Sequence, residues 1–312
     1  MKRKIIKLGT ATLVASLPAK WIRQFGLKSG DYLNVDERKG GLILTTEKEI
    51  AKEEKKIDLR GINTKLATYY LEAAYCMGYD RIEILHDSKI NEYKTHKKIN
   101  TSEFIQKEVS RWIGIEIIEQ LEEKTVLKDI GGSSENEADN IIRRAFLLTK
   151  DISNECVNAL TNKDTEEIKV IESRAQNIFR FIYFYRRLLN KKGYKDFNKT
   201  AVMYQNTYIL GDIVKVIQYI ARETLGFKKK YSAKAVGVFE SINSSIDKID
   251  NLFFSFSKEK AMEIIEDREK QWEMMNSEKN KCTREDAFLY SKLAMIVMSI
   301  SYLSLGRFYL EL

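Results

Sequence analysis

The chain has 312 residues, 44% of them hydrophobic and 31% charged, which fits a soluble globular protein too long for one small core. Cys76, Cys156 and Cys282 are few, far apart and odd in number, which excludes a disulfide framework and a cysteine zinc site and fits a reducing cytoplasm. The net charge of +8 is local: residues 1–30 hold Lys2, Arg3, Lys4, Lys7, Lys20, Arg23 and Lys28 without one Asp or Glu, and removing those seven from the 53 basic residues leaves 46 against 45 acidic. A cluster of this kind attracts polyanions, because each neutralised phosphate releases condensed counterions.

Residues 2–8 and 12–17 alternate as two short strands joined through Gly9-Thr10-Ala11, with no signal peptide ahead of them. Pro18 is the only proline, and it marks the end of a strand and the start of a helix. Trp21, Ile22 and Phe25 form the apolar stripe of that helix and Gly26 ends it. A turn at Ser29-Gly30-Asp31, a strand at 32–36, a Gly40-Gly41 turn and a strand at 42–46 complete a unit of about fifty residues, below the size that usually folds alone. The mixed-charge residues 47–58 read as a solvated linker or short helix.

A middle α/β segment follows, with a helix over 64–77, a strand at 81–85, a helix over 101–112, and strands at 115–120 and 124–129 around Glu122-Glu123. Gly131-Gly132-Ser133-Ser134 reads as a hinge. Beyond it, helical periodicity predicts six helices, near 136–161, 165–191, 200–225, 233–256, 259–278 and 284–310. Two blocks of three suggest a duplicated three-helix unit in one bundle. The stripe Ile178, Phe181, Ile182, Tyr185, Leu188 and Leu189 reads as core. The longest uncharged apolar stretch, between Lys292 and Arg307, is too short to cross a bilayer, so a cytoplasmic protein without membrane insertion is expected.

The N-terminal residues Ile6-Lys7-Leu8-Gly9, Val14-Ala15-Ser16-Leu17-Pro18, Trp21 and Phe25-Gly26-Leu27-Lys28-Ser29-Gly30-Asp31 resemble the AbrB/SpoVT/MazE family of swapped-hairpin DNA-binding domains. The resemblance implies a homodimer in which two chains exchange hairpins to complete one β-barrel. By position it implies that Arg3, Lys7, Thr12, Lys20 and Arg23 face double-stranded DNA. Thr10 stands where some members carry an arginine after the glycine of the first turn.

The remainder is similar to archaeal PhoU-like phosphate uptake regulators that carry such an N-terminal domain. The resemblance rests on Trp112-Ile113-Gly114-Ile115-Glu116-Ile117-Ile118-Glu119, Val126-Leu127-Lys128-Asp129, Arg143-Arg144-Ala145 and Leu210-Gly211-Asp212. It implies a multidomain α+β protein: an AbrB/SpoVT-like domain over 1–47, a small α/β domain over 58–132 and an all-α PhoU-like bundle of two three-helix repeats over 135–312. PhoU proteins often hold metal through Glu/Asp-x-x-x-Asp motifs, which set two hard oxygen ligands on one helix face. Here Tyr208 precedes Asp212 at that spacing, the last-helix pair falls on Val297 and Ser301, and the others fall near Phe179 and Trp272, so no metal is expected.

His86 and His96, the only histidines, have no nucleophile or carboxylate at an interpretable spacing and read as exposed loop residues. Gly131-Gly132 lacks the glycine and lysine of a phosphate loop, and Lys228-Lys229-Lys230 reads as a solvated joint, with effector binding as the sharper alternative. The expectation is therefore a transcriptional regulator, not an enzyme and without a cofactor, whose helical region takes a phosphate-related or protein effector. The alternative is an adaptor acting on a phosphate transporter or signalling partner, with the barrel used for dimerisation.

Overall fold

A computed structural model describes residues 2–38, 41–46, 53–131, 136–278 and 281–312. Strand β1 (Ile5–Leu8) pairs antiparallel with β2 (Thr12–Ala15), with Ile5 opposite Ala15 and Leu8 opposite Thr12. Gly9 closes the turn at φ +67°, in the left-handed region where a side chain would be strained. Pro18 is the N-cap of helix α1 (Ala19–Gln24). The helix ends as the glycine predicts: Gly26 takes φ +56°, Leu27 N donates to Ile22 O at 3.0 Å and Gly26 N to Arg23 O at 3.3 Å, the paired bonds of a Schellman cap. A second antiparallel hairpin joins β3 (Asn34–Arg38) and β4 (Gly41–Thr45); of the expected Gly40-Gly41 turn, residue 40 lies outside the described residues.

The linker expected over 47–58 is corrected in its last part. Residues 47–52 lie outside the described residues, but Glu54–Asp58 is strand β5, the edge of a four-stranded sheet. Its charges are what an edge strand carries, and only Ile57 turns into the core. Helix α2 (Thr64–Met77) leads to β6 (Arg81–Leu85), which pairs parallel with β5. A small pair, β7 (Lys89–Asn91) with β8 (Lys98–Asn100), precedes helix α3 (Thr101–Val109). Strands β9 (Ile115–Gln120) and β10 (Lys124–Asp129) complete the sheet in the order β5-β6-β10-β9. Leu71, Tyr75, Ile82, Ile84, Ile105 and Leu127 form its core.

His86 corrects another expectation. It is completely buried, its Nε2 within 3.0 Å of Thr125 Oγ1 and its Nδ1 within 3.0 Å of Asp87 O. Pairing of β6 with β10 covers it. His96 is exposed. Of the expected hinge, Gly131 is tied to Gly114 O and residues 132–135 lie outside the described residues.

Among the described residues, six long helices follow: α4 (Asn136–Asn162), α5 (Thr165–Lys192), α6 (Thr200–Thr224), α7 (Ala233–Phe254), α8 (Lys258–Glu278) and α9 (Arg284–Glu311). Asp164, Ser232 and Thr283 cap three of them by accepting bonds from backbone N–H groups of the first turn. Helices α4, α5 and α6 pack on one another, as do α7, α8 and α9, and the two sets join through α4 on α7 and α6 on α9. One core runs through both, with Ile178, Ile182, Tyr185 and Leu189 of the expected stripe inside it. Gly306 on α9 lets Asn206 of α6 approach where a Cβ would overlap it.

Candidate nucleic-acid interface

Among the residues of 2–46 whose side chains are described, which leaves out 36, 38 to 40 and 43, none is buried. Arg3, Lys7, Thr12, Lys20 and Arg23 are all exposed, as are Lys2, Lys4 and Lys28. Lys20 and Arg23 stand three apart on α1 and therefore on one face. Trp21 and Phe25 are in ring contact at 5.3 Å, which fixes the helix side opposite those cations. The hairpin separates two expected partners. Lys7 lies opposite Leu13, and Thr12 lies opposite Leu8, so the pleat puts Lys7 and Thr12 on different faces. Arg3 precedes β1.

The hairpins also leave apolar side chains uncovered. Ile5, Ile6, Leu8 and Leu13 are 59–69% exposed, and Val35 and Leu42 of the second hairpin are 56% and 65% exposed. Neither hydrophobic core includes any N-terminal residue.

Elsewhere, the other sequence candidates are dispersed. Asp212 is on the surface of α6 beside Lys215, 3.6 Å away, while Val297 and Phe179 are buried. Among the described residues no group of three or more His, Cys, Asp or Glu could hold a metal ion. Lys228, Lys229 and Lys230 are exposed on the joint between α6 and α7. Burial pushes the Cys76 and Cys156 thiols up to about 12, so neither supplies a thiolate near neutral pH.

A charged cluster that sequence reasoning missed joins the sheet to the bundle. Arg187 of α5, only 2% exposed, donates to Tyr75 O at 2.7 Å, Tyr79 O at 2.8 Å and Asp129 Oδ2 at 2.7 Å. Lys191 donates to Asp80 at 2.5 Å and to Asp129 at 2.8 Å, and Asn190 to Cys76 O at 2.7 Å. These bonds satisfy the Cys76 carbonyl in the last turn of α2 and the Tyr79 carbonyl just beyond it, and give Tyr75 O a second donor besides Gly78 N. Burial opposes the charge on Asp129, but the bonds from Lys191 and Arg187 outweigh it and hold its carboxyl below the usual carboxylate range. Arg186, also buried, bonds Thr207 Oγ1 at 2.9 Å and lies 3.6 Å from the centre of the Tyr208 ring. The signal in the sequence is Arg186-Arg187 set directly between Tyr185 and Leu188 on an apolar stripe.

Comparison with known families bears on the exposed N-terminal segment. Residues 6–52 match the family described as antidote-toxin recognition MazE, bacterial antitoxin. The N-terminal segment is MazE-like. That match takes in α1 and both hairpins from Ile6 onward, with Lys7, Lys20, Arg23 and Lys28 of the acid-free basic run; Lys2, Arg3 and Lys4 precede it. A search of curated proteins gives no match. Among solved structures, the chain is similar over its helical part to the phosphate transport system regulatory protein PhoU from Streptococcus pneumoniae. The TM-score is 0.41 with 14% identity, covering 57% of this chain and 94% of that one.

Proposed function

We propose that the chain is a transcriptional regulator that binds double-stranded DNA as a homodimer through its MazE-like segment. In this reading residues 1–47 contact DNA. Residues 58–132, extended by the strand at 54–58, form the middle unit, and residues 135–312 form a sensing or relaying bundle of two three-helix repeats. The observation that carries it is the acid-free segment in which every expected DNA-facing residue is exposed and the apolar faces of both hairpins stand open. Exchange of hairpins between two copies would close those faces as one barrel; fully covering each such side chain is worth roughly 1.5–3 kcal/mol. It would also double the basic surface. Lysine and arginine bonds to phosphates then supply most of the affinity, and a few side chains read base edges or groove shape. The sequence resemblance of the bundle to phosphate uptake regulators names the signal to try first.

The test is affinity for promoter-length DNA across a salt series. Lys7→Ala and Arg23→Ala should each weaken binding on all sequences. Each should also flatten the logarithmic salt slope by about one for every phosphate left without its cation, approaching about two in a symmetric dimer. Lys228→Ala and Lys229→Ala, on the helical joint, should leave the slope unchanged. The reverse pattern would put DNA on the bundle, and weak binding indifferent to sequence would favour the adaptor.

A further inference from the structure

The last helix carries an exposed apolar stripe that the N-terminal reading does not use. On α9, Met295, Met298, Tyr302, Leu305 and Tyr309 are 50%, 40%, 52%, 46% and 52% exposed. Their spacing runs three, four, three, four. That is the repeat of the a and d positions of a coiled coil, which present a narrow seam to another helix. The other side of α9 is already occupied: Leu293, Ile296, Val297, Ile300 and Leu303 are buried in the bundle. The helix is therefore apolar on both sides, whereas a helix with one solvated face carries polar residues there. Over its first half the seam lies in an open groove of about 570 Å³ that Met295, Met298 and Tyr302 themselves line, together with Asp212, Lys215 and Val216 of α6 and Trp272 of α8.

We propose that this seam docks the α9 helix of a second copy of the chain, seam against seam. Charge and area select that occupant. No Asp, Glu, Lys or Arg occurs between Lys292 and Arg307. Self-pairing along the stripe thus sets no like charges of the stripe against each other. Flanking Ala294, Ser299 and Ser301 are small, so two helices can approach to the usual distance of about 8–10 Å. Five side chains of very roughly 200 Å² each, half exposed and paired across two copies, bury on the order of 1,000 Å², where specific interfaces begin. By length and composition α9 could also cross a membrane. Its inner face is held by the bundle, however, and what remains is a stripe one side chain wide.

The test uses the full-length protein with Cys282→Ser, so that the remaining native thiols, Cys76 and Cys156, are buried. Met298→Cys and Leu305→Cys are made singly, with Lys234→Cys as control on an exposed site of α7, where the native side chain is 72% exposed. Each protein is treated with a short bis-maleimide at micromolar concentration. The seam positions should give dimer-mass product at least about tenfold above the control, and adding Tyr302→Glu should remove most of that excess, because like charges would then face each other in an apolar seam. Tyr302→Ser, scored by the same yield with unchanged melting, stands in if the glutamate variant fails to fold. Seam cysteines that cross-link no better than Lys234→Cys overturn the proposal, as does a yield indifferent to Tyr302. Flotation of the uncross-linked protein with phosphatidylcholine–phosphatidylglycerol vesicles, lost in Tyr302→Glu, would also overturn it by giving the stripe to lipid. A failed DNA salt series leaves the cross-linking result untouched, so the two readings fail separately.

Discussion

Arg187 and Asp129 show what a buried charge does when every partner is in place. Arg187→Ala would take one of its two cations from Asp129, leaving it to Lys191, and leave the Tyr79 carbonyl without the donor it has from Arg187. Removing one member of a buried pair costs up to about 3–5 kcal/mol, and Lys191 stays on Asp129, so unfolding should begin at clearly lower urea, with helix content unchanged before it. The pH dependence has a definite sign. The Asp129 carboxyl titrates below its usual range in the folded protein, so its contribution is complete above an unfolded pKa of about 4 and fades as pH falls through the lower folded value. The stability gap between the wild type and Asp129→Asn should therefore be widest near neutrality and shrink in acid; a gap that widens below pH 4 would contradict the assignment. Asp212, exposed beside Lys215, should behave oppositely. Asp212→Ala is expected to change neither stability nor bound metal, and a stoichiometric loss of iron, manganese or zinc would reveal a site there. At this scale the sequence is least informative. His86 reads as a loop residue because the residue that covers it, Thr125, lies 39 positions away, and the buried role of Arg187 depends on carbonyls more than a hundred positions distant.

Elements are more legible, and the reason is periodicity. The six long helices start and stop within a few residues of their expected bounds, because capping residues and apolar spacing are local signals that agree. Strands β6, β9 and β10 are visible for the same reason. Strand β5 is not: Glu54-Lys55-Lys56-Ile57-Asp58 has one apolar position, and its extended form comes from pairing with β6. Strands β7 and β8 are three residues each, too short to show an alternation. In the N-terminal hairpins the alternation predicts strands but not which copy covers them. Isolated residues 1–50 should sediment as a folded dimer at micromolar concentration, since one copy leaves Ile5, Leu8 and Leu13 in water. A folded monomer would sink the hairpin-exchange reading. Of the expected DNA-facing residues, Lys20 and Arg23 share a helix face as a local rule predicts, whereas the opposed faces of Lys7 and Thr12 follow from a hairpin register that composition does not reveal.

For the whole molecule, charge is segregated from bulk: one end is basic and the rest nearly balanced. Sequencing DNA that co-purifies from the host should return a restricted set of fragments with the intact protein, and the same set in lower yield with Arg23→Ala. The tie made by Arg187, Asn190 and Lys191 has a calorimetric consequence. Because the last turn of α5 supplies donors to α2 and partners to Asp80 and Asp129, neither the sheet unit nor the bundle can open without exposing the other's unpaired groups. The two are expected to unfold as one cooperative foldon with a single heat-absorption peak, split in Arg187→Ala into two. The basic N-terminal unit, outside both cores, would melt separately, at a temperature that rises with protein concentration.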